Sequence, residues 1–106
     1  MKEVYNKLVR DKIPEMIVAN GDTLLTRVLS DVEYFQALNV KLQEEVTEYL
    51  DGFSIEELTD ILEVIRAIAE HKGVSYGELE RIRINKYDER GGFQKRIHLI
   101  EVERRR

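Results

Sequence analysis

The residues of this chain best suited to chemistry are carboxylates gathered between Leu42 and Asp60, in the stretch LQEEVTEYLDGFSIEELTD. Glu44, Glu45 and Glu48 fall on one segment and Glu57 and Asp60 on the next, with Asp51-Gly52-Phe53-Ser54 between them. At ~3.6 residues per helical turn, positions three or four apart share a face. Glu45 and Glu48 therefore point one way, and Glu57 and Asp60 do the same on the following segment. An antiparallel hairpin would join the two pairs into an oxygen-rich pocket that a hard cation could neutralise. Oxygen-only ligands suit Mg²⁺ or Mn²⁺ rather than Zn²⁺. Such ions are commonly shared with substrate phosphates, so the expected chemistry is metal-assisted attack on a phosphorylated substrate.

Each acid also has an ordinary account. Glu44 and Glu48 could be solvent-facing partners of Lys41, and Glu57 could be a capping residue. As a set they are harder to dismiss, because no basic residue lies between Glu44 and Asp60. Like charges at helical-neighbour spacing destabilise by ~0.2–0.5 kcal/mol a pair, and converging pairs raise one another's pKa unless a cation intervenes. A di-iron bundle is excluded, since it needs Glu-x-x-His pairs. Here Ile68 stands three before His71, and Lys95 three before His98.

The elements that must position these acids can be read from caps and periodicity. Ser30 with Glu33 forms a capping box, so a helix starts at Asp31. Its apolar stripe is Phe35, Leu38, Leu42, Val46 and Tyr49, with Lys41, Glu44 and Glu48 well off it. Glu45 falls just beside the apolar edge and is the acid expected to be partly buried. Gly52 ends this helix, and Ser54 with Glu57 opens the next. That helix carries Leu58, Ile61, Leu62, Val64, Ile65, Ala67, Ile68 and Ala69. It is apolar over more than one face, which predicts the central member of a bundle. Glu57 and Asp60 share the side that continues as Val64 and Ala67, so two acids interrupt a packable surface.

Outside this hairpin, Pro14 suits the first turn of a short helix ended by Asn20-Gly21. The basic trio Lys7, Arg10 and Lys12 before it reads as a solvated face or as phosphate contacts. Residues 23–29 and 93–102 are expected as strands pairing in a small two-stranded β ribbon. Gly73 stops the central helix, and Ser75 with Glu78 opens a last one running to about Arg90. Its stripe begins Leu79 and Ile82 but continues as Arg83, Lys86 and Arg90, which invites pairing with the acids or their ligand. Glu103 to Arg106 reads as a solvated charged tail.

The bulk numbers bound the class. A chain of 106 residues, 42% hydrophobic and 36% charged, suits one domain over 1–106. Cysteine is absent, which removes disulfides and thiolate metal sites. A net charge of -4 argues against nucleic acid as the main partner. No apolar run reaches the ~18 residues of a membrane span, and MKEVYNKLVRDK lacks a signal-peptide core. A soluble cytoplasmic domain is expected.

Glu44-Glu45-x-x-Glu48 followed by Glu57-x-x-Asp60 resembles the EExxE…ExxD signature of the all-α nucleoside triphosphate pyrophosphohydrolases. Tyr5 to Glu15 (YNKLVRDKIPE) and Lys86…Arg90-Gly91-Gly92-Phe93 look like a compact MazG-like branch described as phosphoribosyl-ATP pyrophosphohydrolase-like. The resemblance covers nearly the whole chain. It implies a mainly α helical bundle completed by oligomerisation, as a homodimer or dimer of dimers. It also implies Mg²⁺-dependent hydrolysis between the α and β phosphates of a nucleoside triphosphate, giving nucleoside monophosphate and pyrophosphate. House-cleaning of unwanted nucleotides is the role it suggests, with phosphoribosyl-ATP a possible substrate by name only. By position, Glu45, Glu48, Glu57 and Asp60 would be metal ligands, and Glu44 would ligate a second ion or orient the attacking water. Lys86, with Arg90, would hold phosphate oxygens, and Lys7, Arg10 and Lys12 are further candidates. The competing classes are a non-catalytic helical module that binds a nucleotide or protein, and a structural oligomerisation domain.

Overall fold

Three serines decide where the long helices begin. The computed structural model describes residues 1–105 and contains α1 (Ile13–Ala19), α2 (Asp31–Gly52), α3 (Ile55–His71) and α4 (Tyr76–Arg90). Ser30, Ser54 and Ser75 are the N-caps of α2, α3 and α4, each extended in backbone and each accepting from the N–H three residues on. A serine cap satisfies one of the donors a helix start leaves unpaired, worth ~1 kcal/mol over alanine.

The three caps are not equivalent. At α2 the box closes in both directions, with the Glu33 carboxylate accepting from Ser30 N–H at 3.1 Å and from both outer nitrogens of Arg27. At α3 only the serine half forms, and the Glu57 carboxylate does not return to Ser54. The second capping box expected from Ser54 and Glu57 is thus half made, and Glu57 is free to face α2.

The turn between α2 and α3 is tight because Phe53 adopts the left-handed conformation, φ 58 and ψ 28, and donates its N–H to Tyr49 O. Gly52 is still helical, so the left-handed C-cap falls one residue later, on a phenylalanine. This turn lays α3 antiparallel along α2, which is the main packing of the chain, and α4 leans on α3. At the far end of the hairpin, the His71 ring stacks on Phe35 at 5.5 Å and meets Tyr34 edge-on at 5.5 Å. Leu38, Val64 and Ala69 form the small buried core between these ends.

The expected two-stranded ribbon is not formed within the chain. Among the described residues neither 23–29 nor 93–102 is a strand. Leu25, Val28, Ile97 and Ile100 stand in solvent. An isolated ribbon has marginal stability in water without a third strand or a covering helix. Arg106, the last residue of the expected charged tail, lies outside the described residues.

The chain is elongated, 66 × 32 × 25 Å, with a radius of gyration of 19.1 Å. A compact domain of this length would have about 13 Å. Its accessible surface is 10194 Å², against roughly 6,200 Å² for a folded monomer of this mass. Much of the surplus is apolar: Leu50, Ile55, Leu58 and Ile65 on the hairpin are all exposed. No helix among the described residues is long and apolar enough to cross a membrane.

Candidate metal centre

Glu45 enters the site because α2 turns its apolar stripe toward α3 and Glu45 lies at the edge of that stripe. It is only 7% exposed, the one buried charged residue among those described. Opposite it, α3 contributes Glu57 from its first turn and Asp60 from the next. One carboxylate oxygen from each of Glu45, Glu57 and Asp60 lies within 4.8 Å of the others.

The electrostatics of this trio are unbalanced. Glu45 Oε1 meets Lys41 Nζ at 3.4 Å, but Glu45 Oε2 and Glu57 Oε2 are buried without any hydrogen-bond partner. A buried carboxylate oxygen left unpaired costs far more than an exposed one, because it has lost water and gained nothing. Burial holds the Glu45 carboxyl above its ordinary range. The nearby charge of Glu48 raises it further, while Lys41 works in the other direction.

A divalent ion fits this donor set. Opposite oxygens around Mg²⁺, each at about 2.1 Å, are ~4.2 Å apart. The three oxygens, all within 4.8 Å of one another, need only a small rotamer adjustment to meet that span. The donors are all oxygens, and two of the three carboxylates carry a buried oxygen without a hydrogen-bond partner.

The remaining sequence-predicted residues divide clearly. Glu48 lies beside Glu45 and acts on it by charge, but its oxygens are not among those that converge. Glu44 pairs with Lys41 at 3.7 Å on the side of α2, the ordinary role open to it. Arg10 reaches in from the N-terminal segment and donates to Asp60 Oδ1 at 2.7 Å. Lys7 sits over the Tyr5 ring, 5.3 Å from its centroid, and Lys12 is the N-cap residue of α1. Lys86 and Arg90 are exposed on α4 and form no ion pair among the described residues. The expected approach of α4 cations to the acids is therefore not made within one chain.

Two neighbouring groups escaped the sequence reading. Arg66 on α3 stacks over Tyr76 at the start of α4, 5.2 Å from its centroid. Together with Arg10 they border a hollow flanking the acids. Local periodicity carries no sign of this meeting, since the residues come from three separate elements.

Comparison with known proteins leaves the chain without an assigned family. No family model matches it, and no solved structure does. A protein of Mycolicibacterium smegmatis (strain ATCC 700084 / mc(2)155), described as uncharacterized, is 60% identical over 42 residues. That stretch is 40% of this chain and 43% of the relative, so the similarity covers less than half of either.

Proposed function

We propose that this chain is a Mg²⁺-dependent nucleoside triphosphate pyrophosphohydrolase of the MazG-like type. The reading is carried by one observation: Glu45 and Glu57, each with a buried carboxylate oxygen that has no partner, bring their carboxylates together with that of Asp60 between antiparallel helices. A structural bundle has no use for that arrangement, because an apolar residue at any of the three positions would relieve the repulsion. The motif resemblance of residues 5–15, 44–60 and 86–93 supports the same conclusion.

In this reading Glu45, Glu57 and Asp60 hold the ion, and Glu48 is the neighbouring acid that completes the set on the α2 side. The ion's contribution when bound is to neutralise phosphate charge and to lower the pKa of a coordinated water. Glu44 remains outside the set as a carboxylate able to orient a water or take its proton. Arg10, released from Asp60, turns a guanidinium with several N–H donors toward phosphate oxygens, a geometry suited to paired contacts. Lys86 and Arg90 approach from α4 of a second copy, and Lys7 and Lys12 add positive charge at the rim.

The second copy is part of the proposal. The surplus over a compact monomer leaves each chain more than the roughly 1,000–2,500 Å² that one partner of an obligate homodimer buries. A homodimer, or a dimer of dimers, would cover Leu50, Leu58 and Ile65 and supply a surface on which 23–29 and 93–102 could pair as a ribbon. A house-cleaning role in the cytoplasm fits this chemistry.

The test is a panel of nucleoside triphosphates incubated with the protein and Mg²⁺, with products separated. Pyrophosphate and nucleoside monophosphate are expected, and both should disappear with Glu57→Gln. Orthophosphate release, or no turnover on any member of the panel, would remove the proposal.

A further inference from the structure

The geometry points to a base-binding site beside the acids: the hollow lined by Arg10, Thr59, Leu62, Glu63, Arg66 and Tyr76 receives the heterocycle of a nucleotide. The inference rests on the reading of Glu45, Glu57 and Asp60 as a cation site that draws the phosphates. The hollow has a volume of about 330 Å³, near the lower end for small-molecule sites and ample for a base.

Its position follows from helical geometry. Thr59 and Asp60 are successive residues on α3, about 100° apart around the helix. Asp60 faces α2 and the acids, whereas Thr59, Leu62, Glu63 and Arg66 form the adjoining face. Arg10 stands on the boundary, lining the hollow and bonded to Asp60. A ligand with one anionic end and one planar end would therefore meet both regions across a single arginine.

The lining suits a base better than a bare phosphate. Tyr76 presents an aromatic ring with the Arg66 guanidinium over it, 5.2 Å from its centroid, and Leu62 adds an apolar wall. Aromatic rings and guanidinium planes are the surfaces on which bases stack. Arg66 spends only its Nε–H on Glu70, at 3.2 Å, which leaves its terminal N–H groups as donors. Thr59 donates its hydroxyl to Glu56 O, which leaves that oxygen's lone pairs as acceptors. Glu63 has no hydrogen-bond or ion-pair partner among the described residues. That unpaired carboxylate would repel phosphate but accept from the amino edge of adenine, cytosine or guanine. Bases carrying an amino group are thus favoured over uracil.

Amide spectra of the full-length ¹⁵N-labelled protein test this, with AMP, inorganic pyrophosphate and Mn²⁺ as separate probes. AMP should shift Thr59, Leu62, Glu63 and Tyr76, and pyrophosphate should leave Leu62 and Tyr76 unmoved. Tyr76→Ala should weaken AMP binding about tenfold, the loss of one stacked base. Glu63→Gln, a surface change that keeps the test open if the first variant is unstable, should narrow the preference for AMP over UMP. Both variants should retain Mn²⁺ broadening at Glu45, Glu57 and Asp60. If AMP binds without touching Leu62 and Tyr76, or binds Glu63→Gln with unchanged preference, the hollow is not the base site and the cation reading stands. If Mn²⁺ leaves the three acids unbroadened, the cation reading fails, and the direction assigned to the phosphates fails with it.

Discussion

A guanidinium N–H of Arg10 donates to Asp60 Oδ1 at 2.7 Å, joining positions 50 residues apart in the chain. Both side chains are about half exposed, at 54% and 41%. The pair is therefore worth at most ~1 kcal/mol to the fold. Its consequence is local: one arginine neutralises one of the three acids that converge between α2 and α3. A divalent ion entering that site would compete with it directly.

Removing the competitor should change two affinities in opposite directions. Arg10→Gln should bind Mn²⁺ about two- to fivefold more tightly, the exchange of a surface ion pair worth under 1 kcal/mol. The same variant should bind nucleoside triphosphate more weakly, because a phosphate-facing donor is lost. Calorimetric titrations of each ligand check both signs. A parallel weakening of both would mean that Arg10 merely holds the N-terminal segment in place.

Glu45 makes stability depend on pH in an unusual direction. Its carboxyl is held above the ordinary value of 4.5 by burial and by Glu48. In that window the folded chain binds more protons than the unfolded chain, so stability falls as pH rises. The contribution is fully present below the unfolded value and is lost as pH passes through the folded one. Thermal melts of metal-free protein should show this decline from pH 4.5 upward. Glu45→Gln should abolish it, and Mg²⁺ should offset it in the wild type.

Glu33 supplies the opposite case. The Arg27 fork, and then the Ser30 backbone N–H, hold its carboxyl down at about 2. The folded state there binds fewer protons than the unfolded state between 4.5 and 2. Stability from this group is present above 4.5 and drains away as pH falls toward 2. Acid titration followed by helical circular dichroism should show Glu33→Gln losing that slope, since glutamine can still cap but carries no charge.

Phe53 carries a backbone strain that glycine would not. A side chain in the left-handed region costs roughly 1–2 kcal/mol, and the ring is 68% exposed with an edge contact to Tyr49 at 5.8 Å. Phe53→Gly should stabilise the isolated chain by about 1 kcal/mol after the lost contact is subtracted. A destabilised variant would show that the contact with Tyr49 outweighs the backbone strain.

The helical frame was legible because capping is a local signal. Ser30, Ser54 and Ser75 each announced a helix within a few residues, and all three helices start where those caps put them. Glu45 was legible for a related reason: its angle relative to Phe35, Leu38 and Leu42 is set by helix geometry alone, and the structure buries it. What depended on distant partners was not legible. The Arg10–Asp60 pair and the Arg66–Tyr76 stack join residues that no periodicity connects. Glu57 shows the limit within a motif, because Ser-x-x-Glu permits either a closed capping box or a carboxylate turned toward a neighbouring helix. The structure takes the second course, with the Glu57 carboxylate near those of Glu45 and Asp60. The ribbon over 23–29 and 93–102 failed as a single-chain feature, since β-prone residues form strands only where a partner completes the ladder.

The central claim is that Glu45, Glu57 and Asp60 together hold a divalent cation. Titrating Mn²⁺ into metal-free protein while following the free-ion paramagnetic resonance signal measures this without reference to any substrate. The account predicts saturable binding, with at least one ion per chain displaced by Mg²⁺, and at least about a tenfold loss of affinity in Glu57→Gln. Unchanged binding in Glu57→Gln and Glu45→Gln, or no binding by the wild type, would contradict it.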